Sequence, residues 1–280
     1  MKRNKLAQPF LKWAGGKRQL LTEIKKYIPQ KVNTYYEPFI GGGALLFELQ
    51  PKKAIINDVN SELINCYTVV RDSVQELIND LQRYRNDENF YYETRDLDRS
   101  ELYTGLSTIE RASRIIYLNK TCFNGLFRVN SQGQFNVPFG KYKNPKIVDE
   151  IVLRADSNYL LKNNITLLNN DFEIAVETAK KGDFIYLDPP YDPVSDTSSF
   201  TGYSLNGFDR NEQKRLFHVF KQLDSKGCKV LLSNSATNFI MDLYSDFKII
   251  KVTASRNINS NASGRGKIDE LLIMNYDIKL

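Results

Sequence analysis

The sequence has very few of the residues that bind metals or form disulfides. Its 280 residues include one histidine, His218, and three cysteines, Cys66, Cys122 and Cys228, with no CxxC pair among them. A single histidine excludes HExxH enzymes and multi-histidine metal sites. Three widely separated cysteines argue against a disulfide framework and against a cysteine zinc site. We therefore expect chemistry that uses neither a metal ion nor histidine.

Long apolar runs are also missing. No stretch approaches the ~20 residues of a membrane-spanning helix, and the charged start of the chain lacks the apolar core of a signal peptide. We expect a monomeric cytoplasmic protein that does not associate with membranes. Its 39 Lys and Arg against 33 Asp and Glu leave a net charge of +6. That modest excess suits a soluble protein and slightly favours a polyanionic partner such as nucleic acid.

Helical and strand-like periodicities divide the chain into three stretches. Residues 1–60 and 161–280 alternate strands and helices, whereas residues 61–160 are mainly helical, with a Gly- and Asn-rich run around Gln132 and Gly133 that suggests a β-hairpin. This alternation on both sides of an insert predicts an α/β fold with a largely parallel sheet and a second, smaller domain. Strands are predicted at 34–39, 54–58, 165–172, 184–191, 229–235, 247–255 and 270–276, and helices at 20–28, 44–49, 61–84, 110–119 and from Asp209.

A glycine-rich turn, Ile40-Gly41-Gly42-Gly43, follows the first predicted strand and opens a helix. Glycines let the backbone approach a ligand closely, and a helix N-terminus presents free N–H groups. Asp58 ends the next predicted strand, 15 residues after Gly43, where a carboxylate binds the ribose hydroxyls of an adenosine cofactor. The spacing is not GxGxxG, so S-adenosylmethionine, which has no pyrophosphate, fits better than a dinucleotide. A plain tight turn is the alternative.

The string Phe184–Tyr191 is the strongest chemical signal in the sequence. Four apolar residues predict a buried strand, and Asp188-Pro189-Pro190-Tyr191 ends it at the edge where open α/β sheets bind ligands. Asp188 and the Pro189 carbonyl can accept hydrogen bonds from an exocyclic amino group, and the two prolines hold that carbonyl rigidly. Tyr191 offers an aromatic face to a flipped base. The alternative is a Pro-Pro turn after a core strand.

Three strings together resemble the Dam family of DNA adenine methyltransferases. They are Lys12-Trp13-Ala14-Gly15-Gly16-Lys17, Glu37-Pro38-Phe39-Ile40-Gly41-Gly42-Gly43 and Asp188-Pro189-Pro190-Tyr191, and Phe123–Leu126 and Phe135–Gly140 are similar as well. The order of the strings resembles the family's α-type arrangement, and the likeness runs from Pro9 to Tyr276. It implies a Rossmann-like catalytic domain formed by residues 1–60 and 161–280, and a DNA target-recognition domain formed by residues 61–160.

The resemblance also implies the reaction. A methyl group would pass from S-adenosylmethionine to N6 of adenine in double-stranded DNA, by base flipping and direct in-line transfer. The site would be GATC or a related one such as GATATC. The catalytic residues would be Asp188, Pro189, Pro190 and Tyr191.

Cofactor contacts can be carried over from the family to matching positions. They are Trp13, Lys17, Pro38, Phe39, Gly41, Gly43, Asp58, Asp171, Phe172 and Asp188. Trp13 would pack against the cofactor, Lys17 would hold its carboxylate or a nearby backbone group, and Phe172 would stack on its adenine ring. The alternatives are a buried aromatic at Trp13, a solvated lysine at Lys17 and simple core packing at Phe172.

DNA contacts would come from the insert and from the start of the chain. They are Lys12, Phe123, Asn124, Leu126, Arg128, Asn130, Pro138, Lys141 and Tyr142. Arg128 would place its guanidinium on O6 and N7 of a guanine, with Lys12 near the other guanine, and a surface ion pair is the alternative for Arg128. Lys141, Tyr142 and Lys143 would meet phosphates, which position the protein without reading sequence. The polar loops 195–208 and 257–267 are either backbone clamps or plain connections.

Two other function classes remain open from the sequence. A methyltransferase of RNA or of a protein glutamine would share the glycine turn, but it would more often carry Asn before Pro-Pro-Tyr and would not need the hairpin. A non-catalytic DNA-binding module would keep a basic insert and would have no reason to keep Asp58 and Asp188. A restriction–modification role and a housekeeping role are equally compatible with the sequence.

Overall fold

The structure is a computed structural model that describes residues 3–13, 15, 17, 20–194, 207–255 and 267–277. Most of the two polar loops interpreted as possible DNA clamps lies outside the described residues, namely 195–206 of the first loop and 257–266 of the second. No helix within the described ranges is long and apolar enough to cross a lipid bilayer.

The described chain forms a mixed sheet. Its strands are β1 (Tyr35–Glu37), β2 (Lys53–Asn57), β3 (Asn164–Leu168), β4 (Phe184–Leu187), β5 (Lys229–Ser235), β6 (Lys248–Ser255) and β7 (Lys267–Met274). The seven strands lie in the order β3-β2-β1-β4-β5-β7-β6. β1 is parallel to β2 and β4, and β4 is parallel to β5, whereas β7 runs antiparallel to both β5 and β6. The predicted α/β class is confirmed.

Helices connect these strands. They are α1 (Leu21–Lys26), α2 (Ala44–Leu49), α3 (Ser61–Asp72), α4 (Val74–Leu81), α5 (Glu88–Asp96), α6 (Thr108–Thr121), α7 (Glu150–Lys162), α8 (Phe172–Ala175), α9 (Arg210–Ser225) and α10 (Asn238–Leu243). Side-chain caps fix several helix starts. Ser107 and Glu110 form a capping box on α6, and Asp209 accepts two backbone hydrogen bonds at the start of α9. Such caps satisfy N–H groups that have no partner within the helix.

Three sequence predictions of element boundaries are wrong. The helix predicted over 61–84 is two helices, because Ser73 has φ of −140° and separates α3 from α4. The strand predicted over 165–172 ends at Leu168, and Asp171 caps the short helix α8 instead. β4 stops at Leu187, directly before Asp188. The Pro-Pro pair that follows cannot donate to a strand ladder, which explains why the strand is shorter than predicted.

The Gly- and Asn-rich segment forms a tight antiparallel turn, in which the N–H groups of Asn130 and Asn136 donate to the carbonyls of Gln134 and Arg128 at 2.8 and 3.0 Å. This pairing is too short to make named strands, and the β-hairpin stays a prediction. Val129 and Phe135 make one isolated antiparallel bridge. The Asn130 side chain accepts hydrogen bonds from two backbone N–H groups of the turn, both at 3.0 Å, and such local bonds compete with a strand ladder. The turn is held at Phe135, whose N–H donates to Asp98 and whose carbonyl accepts from Arg99, both at 2.8 Å.

The chain divides into two compact units, each with its own core. The first comprises Met1–Gly16, Ile40–Lys52 and Asn57–Asn170, and the second comprises Lys17–Phe39, Lys53–Ile56 and Asp171–Leu280. In the first unit, one buried cluster joins α5 and α6 to the turn through Tyr91, Tyr117, Leu118, Cys122, Phe135 and Val137. In the second unit, the core is formed by buried residues of β1, β4, β5, β7 and α9. Asp188 directly follows β4, one of these core strands.

Candidate active site

The Asp-Pro-Pro-Tyr segment of the second unit leaves the sheet directly after β4. Every residue of β4 is buried, and its parallel pairing with β1 and β5 places the segment at the carboxyl end of the sheet. Gln213 donates to the Pro190 carbonyl at 2.8 Å and accepts from Asn234 at 3.0 Å. Asn234 also accepts from the Asp192 N–H at 3.1 Å. This buried polar network fixes the path of the backbone immediately after Asp188.

The Asp188 carboxylate forms an ion pair with a lysine. Lys17 Nζ lies 2.7 Å from Asp188 Oδ1, and the two side chains are 7% and 19% exposed. Burial raises the pKa of Asp188 to about 6, against the opposing effect of Lys17, and the negative charge of Glu270 adds to the rise. Asp188 is therefore ionised at neutral pH but titrates close to it, as expected of a group that handles a proton.

Tyr191 is held at both its hydroxyl and its ring. The hydroxyl donates to Glu270 Oε2 at 2.7 Å, and Lys17 Nζ lies 4.5 Å from the ring centroid, which is within cation–π range. Burial, together with the carboxylates of Asp188 and Glu270, raises the pKa of Tyr191, so the hydroxyl stays protonated and acts as a donor. The stacking of a flipped base on Tyr191 stays a prediction, and one face of the ring already faces Lys17.

An aromatic cluster of the second unit surrounds Phe39. The ring centroids of Phe39 and Phe172 are 5.4 Å apart, and Phe208 lies 5.8 and 5.9 Å from them. The Arg215 guanidinium lies 4.0 Å from the Phe172 centroid and binds both Asp171 oxygens at 2.7 Å. These bonds lower the pKa of Asp171. The carboxylate of Asp171 thus supports Arg215 and α8, and its predicted contact with a cofactor stays a prediction.

In the first unit, Asp58 supports the glycine turn. Its Oδ2 accepts from the Gly41 N–H at 3.1 Å, and its Oδ1 accepts from the Asn60 N–H at 3.0 Å. Gly41 and Gly43 have φ of 47° and 70°, in the left-handed region that glycine adopts at little cost. Burial raises the pKa of Asp58 to about 6, against the effect of the two backbone bonds. A carboxylate has about four acceptor sites, so Asp58 keeps capacity for further hydroxyl donors.

Trp13 packs against the same glycine turn. Its ring stacks on Phe127 with centroids 4.6 Å apart. A Cβ atom added to Gly41 would lie 2.9 Å from Trp13 Cδ1, and one added to Gly42 would lie 3.3 Å from Trp13 Cβ. The indole therefore fits only because the turn has no side chains at these two positions. The sequence indicated a cofactor contact for Trp13 but gave no sign of Phe127 as its stacking partner.

Several DNA-binding candidates meet in the first unit. Asn119 exchanges hydrogen bonds with the backbone of Lys12, at 2.9 Å to its N–H and 2.8 Å to its carbonyl. Lys12 Nζ lies 5.7 Å from the Tyr142 ring centroid. The side chain of Phe123 is exposed, and its N–H donates to the Pro138 carbonyl at 2.8 Å. The structure thus places the cationic candidate Lys12 beside the aromatic candidate Tyr142. It also connects Phe123 to Pro138 by a backbone hydrogen bond.

Arg128 is exposed, and its guanidinium is engaged within the turn. Nε donates to Asn136 Oδ1 at 2.7 Å and Nη2 donates to the Asn136 carbonyl at 3.0 Å, which uses two of the five N–H donors of the group. The partner is a neutral amide, unlike the surface ion pair considered as the alternative. Of the other candidates, Leu126 packs on the core of the first unit, and Asn124 and Lys141 have positive φ of 56° and 52°.

Comparison with known proteins decides between the function classes. The family model of the D12 class N6 adenine-specific DNA methyltransferases matches residues 13–258. The chain belongs to this family. The methyltransferase is 50% identical over 279 residues to the type II methyltransferase M1.LlaDCHI of Lactococcus lactis subsp. cremoris, covering 99% of this chain and 98% of that one.

Two further relatives agree with this assignment. Identity is 45% over 289 residues with the type II methyltransferase M.MjaIII of Methanocaldococcus jannaschii, covering 96% of this chain and 99% of that one. It is 36% over 281 residues with the DNA adenine methylase of Serratia marcescens, covering 98% and 99%. The resemblance to DNA adenine methyltransferases is confirmed, and the protein is an adenine-specific DNA methyltransferase whose substrate is DNA.

In each unit, some residues that contact the candidate residues had no signal in the sequence. Glu270 binds Tyr191 across 79 residues of chain, and Gln213 reaches Pro190 from α9. Phe127 and Asn136 stood inside the recognised insert segment but looked like ordinary turn residues. Only the fold places these four side chains beside the motifs.

The glycine turn yields a stability prediction. We expect Gly41→Ala to lower the free energy of unfolding by roughly 2 kcal/mol, because a Cβ at positive φ is strained and would lie 2.9 Å from Trp13. Gly105→Ala is a matched control in the same unit, since no atom lies within 4 Å of its added Cβ. Urea unfolding of both variants measures the difference. Equal stability of the two variants would show that the contact with Trp13 is not a constraint.

The raised pKa of Asp188 yields a prediction of pH dependence. If Asp188 accepts from the amino group, as the family resemblance implies, we expect kcat at saturating DNA and methyl donor to fall about tenfold per pH unit below pH 6, because the protonated carboxyl no longer accepts. Loss of donor binding through Asp58 would appear as a rise in KM instead. A raised carboxyl pKa means that the folded state binds the proton more tightly than the unfolded chain, so acidification through pH 6 does not destabilise the fold through these groups.

The measurement is a kcat and KM profile from about pH 5 to about pH 8, with circular dichroism to show that the protein remains folded. A kcat that stays constant across this range would contradict the role of the Asp188 carboxylate.

Proposed function

We propose that the methyltransferase transfers a methyl group from S-adenosylmethionine to N6 of adenine within GATC in duplex DNA, with the adenine flipped out of the helix. The observation that carries the proposal is the ion pair between Asp188 and Lys17 at the end of β4. An ionised carboxylate beside the amino group can orient the nitrogen lone pair and take the proton that the nitrogen loses, and the pair with Lys17 holds Asp188 in that form. In this proposal residues 61–160 read the DNA, and residues 1–60 and 161–280 perform the reaction.

Asp188 acts on the amino group directly. Its carboxylate accepts a hydrogen bond from the N6 amino group, which turns the nitrogen lone pair outward, and it takes the proton that the nitrogen loses on methylation. The Pro189 carbonyl accepts from the second amino hydrogen, and the two prolines keep it in place. Orientation of bound reactants supplies most of the rate enhancement. The transfer is direct, with no covalent intermediate on the protein.

The residues present suit S-adenosylmethionine as the donor. When bound, this cofactor supplies an electrophilic methyl group on a positively charged sulfur. Asp58 has acceptor sites left for ribose hydroxyls beyond the bonds from Gly41 and Asn60. Phe39 and its neighbours in the aromatic cluster offer a face for the adenine ring.

We assign Lys17 a different role from the one that the family resemblance implied. Its ammonium lies on Asp188 and over Tyr191, so in our proposal it keeps Asp188 ionised, and the binding of the cofactor carboxylate falls to other groups. The cation has this effect because a positive charge at hydrogen-bond distance favours the ionised carboxylate.

DNA recognition is assigned to the first unit. Exposed Lys12, Arg128 and Lys141 carry the positive charge that a phosphate backbone attracts. Asn136 holds one edge of the Arg128 guanidinium, and the remaining N–H donors are directed to O6 and N7 of a guanine. Asn136 thus orients the arginine in the absence of DNA, which reduces the ordering cost of binding.

The sequence of the target site is tested with short duplexes changed one base pair at a time. We expect methylation of adenine in GATC, detected by mass spectrometry and by methylation-sensitive nucleases, and loss of the reaction when either flanking G·C pair is changed. Methylation that requires GATATC, or that tolerates any single change, overturns the GATC assignment and leaves adenine methylation itself in place.

The same duplexes test the assignment of Arg128. We expect Arg128→Ala to slow methylation of the proper site far more than of a duplex altered at the guanine it reads, because a bidentate pair discriminates by about 1–3 kcal/mol. Lys143 contacts a phosphate in this scheme. Lys143→Ala should therefore weaken binding to all duplexes alike and reduce the slope of log K against log salt concentration by about one. If Arg128→Ala slows every duplex by the same factor, the arginine contacts the backbone, and another residue reads the base.

A further inference from the structure

Glu270 lies beside the catalytic segment but belongs to none of its motifs. It is a partly buried residue of β7, and β7 pairs antiparallel with β5 so that Glu270 lies opposite Ser235. This register directs its carboxylate to the end of the sheet where β4 ends. There Glu270 Oε2 accepts the Tyr191 hydroxyl hydrogen at 2.7 Å, the short distance expected when an O–H donates to a charged oxygen.

The contact with Glu270 is the first in a chain of contacts that ends at Asp188. Glu270 fixes the hydroxyl of Tyr191, and the ring of Tyr191 faces Lys17 Nζ at 4.5 Å. Lys17 Nζ in turn binds Asp188 Oδ1 at 2.7 Å. Each contact restrains the next group, because the hydrogen bond fixes the position of the Tyr191 hydroxyl at the far end of the ring, and the ring face is one of the contacts of the ammonium. The carboxylates of Asp188 and Glu270 and the ammonium of Lys17 thus lie in this part of the second unit, where the buried Tyr186 hydroxyl and the Glu37 carboxylate are further titratable groups nearby.

We propose that Glu270 is a positioning residue for methyl transfer, which acts through Tyr191 and Lys17 to hold the Asp188 carboxylate in its productive place. The inference rests on the proposed function of Asp188. It assigns Glu270 two separable effects. Its hydrogen bond orients Tyr191, and its negative charge increases the proton affinity of Asp188, since a nearby like charge disfavours a second ionised carboxylate.

Three single variants and one double variant separate these effects. Glu270→Ala removes the bond and the charge, Glu270→Gln removes the charge but keeps an acceptor, and Tyr191→Phe removes the hydroxyl but keeps the ring. Asp269→Asn is the matched control, because Asp269 is exposed on the adjacent position of β7. The double variant Glu270→Ala with Tyr191→Phe completes a double-mutant cycle, which measures the coupling between the two residues. The readouts are kcat, KM for DNA and for S-adenosylmethionine, and the acid limb of the kcat profile.

We expect Glu270→Ala and Tyr191→Phe each to lower kcat about tenfold, the usual size of one lost hydrogen bond to a charged group, with each KM changed by less than about twofold. The double variant should be no slower than the slower single variant, because both changes break one bond. Glu270→Gln should keep most of kcat at neutral pH and move the acid limb to lower pH. Asp269→Asn should match the wild type in every readout.

Other results overturn the inference. Wild-type kcat in Glu270→Ala, or losses that multiply in the double variant, would show that Glu270 does not act through Tyr191. An acid limb that is unmoved in Glu270→Gln would show that the charge does not reach Asp188. If Glu270→Ala fails to fold, Tyr191→Phe breaks the same bond, and wild-type kcat in that variant overturns the inference.

The proposed function fails in a different way. A wild-type enzyme that transfers no methyl group from S-adenosylmethionine to adenine, or whose rate is unaffected by Asp188→Ala, contradicts the proposed function. An active wild type with sensitivity at Asp188 and none at Glu270 or Tyr191 contradicts the inference alone.

Discussion

The ion pair between Lys17 and Asp188 is the constraint on which the proposed methyl-transfer site depends. Removing two charges from water is costly, and a buried pair persists only when its geometry is good and further polar groups support it. Here the distance is 2.7 Å, the Tyr191 ring covers the ammonium, and Gln213 and Asn234 hold the backbone on the far side of the prolines. The Asp188 carboxylate is thus held in place by contacts within the protein.

The first unit uses a carboxylate in a comparable way at the glycine turn. Asp58 and Asp188 both have a pKa raised to about 6 by burial, but their ionised forms are stabilised by different means. Backbone N–H groups of Gly41 and Asn60 donate hydrogen bonds to Asp58, whereas the ammonium of Lys17 forms an ion pair with Asp188. Because both pKa values lie about one unit below neutral pH, each group is anionic within its own unit.

Local patterns in the sequence predicted the parts of the molecule that depend on near neighbours. The apolar run of β4 followed by two prolines specifies a strand that must end, and Asp209 with Glu212 specifies the start of α9. The family resemblance implied the chemistry of Asp188, which stays a prediction. Periodicity did not show that Ser73 divides a long helical pattern, because apolar residues continue in helical spacing on both sides of it.

The remaining features depend on contacts between distant parts of the chain. In the sequence, nothing distinguishes Glu270 from any other acidic residue of a predicted strand. Its bond with Tyr191 depends on the register of β7 against β5. The β-hairpin was predicted from alternation and stays a prediction, because the segment pairs over only a few residues and the side chain of Asn130 satisfies the backbone of the turn locally. Arg128 was predicted to read a guanine, which stays a prediction, and its bond with Asn136 could be seen only in the folded turn.

The most direct test of the central claim, that Lys17 keeps a buried Asp188 ionised, is a titration of the Asp188 carboxyl by carbon-13 NMR. The signal is assigned by its absence in Asp188→Asn and followed in the wild type and in Lys17→Met. We expect a midpoint near 6 in the wild type, above the ordinary value of 3.8, and a higher midpoint in Lys17→Met, because the cation that favours the ionised form is gone. The same midpoint in both proteins, or a wild-type midpoint near 3.8, would contradict the claim.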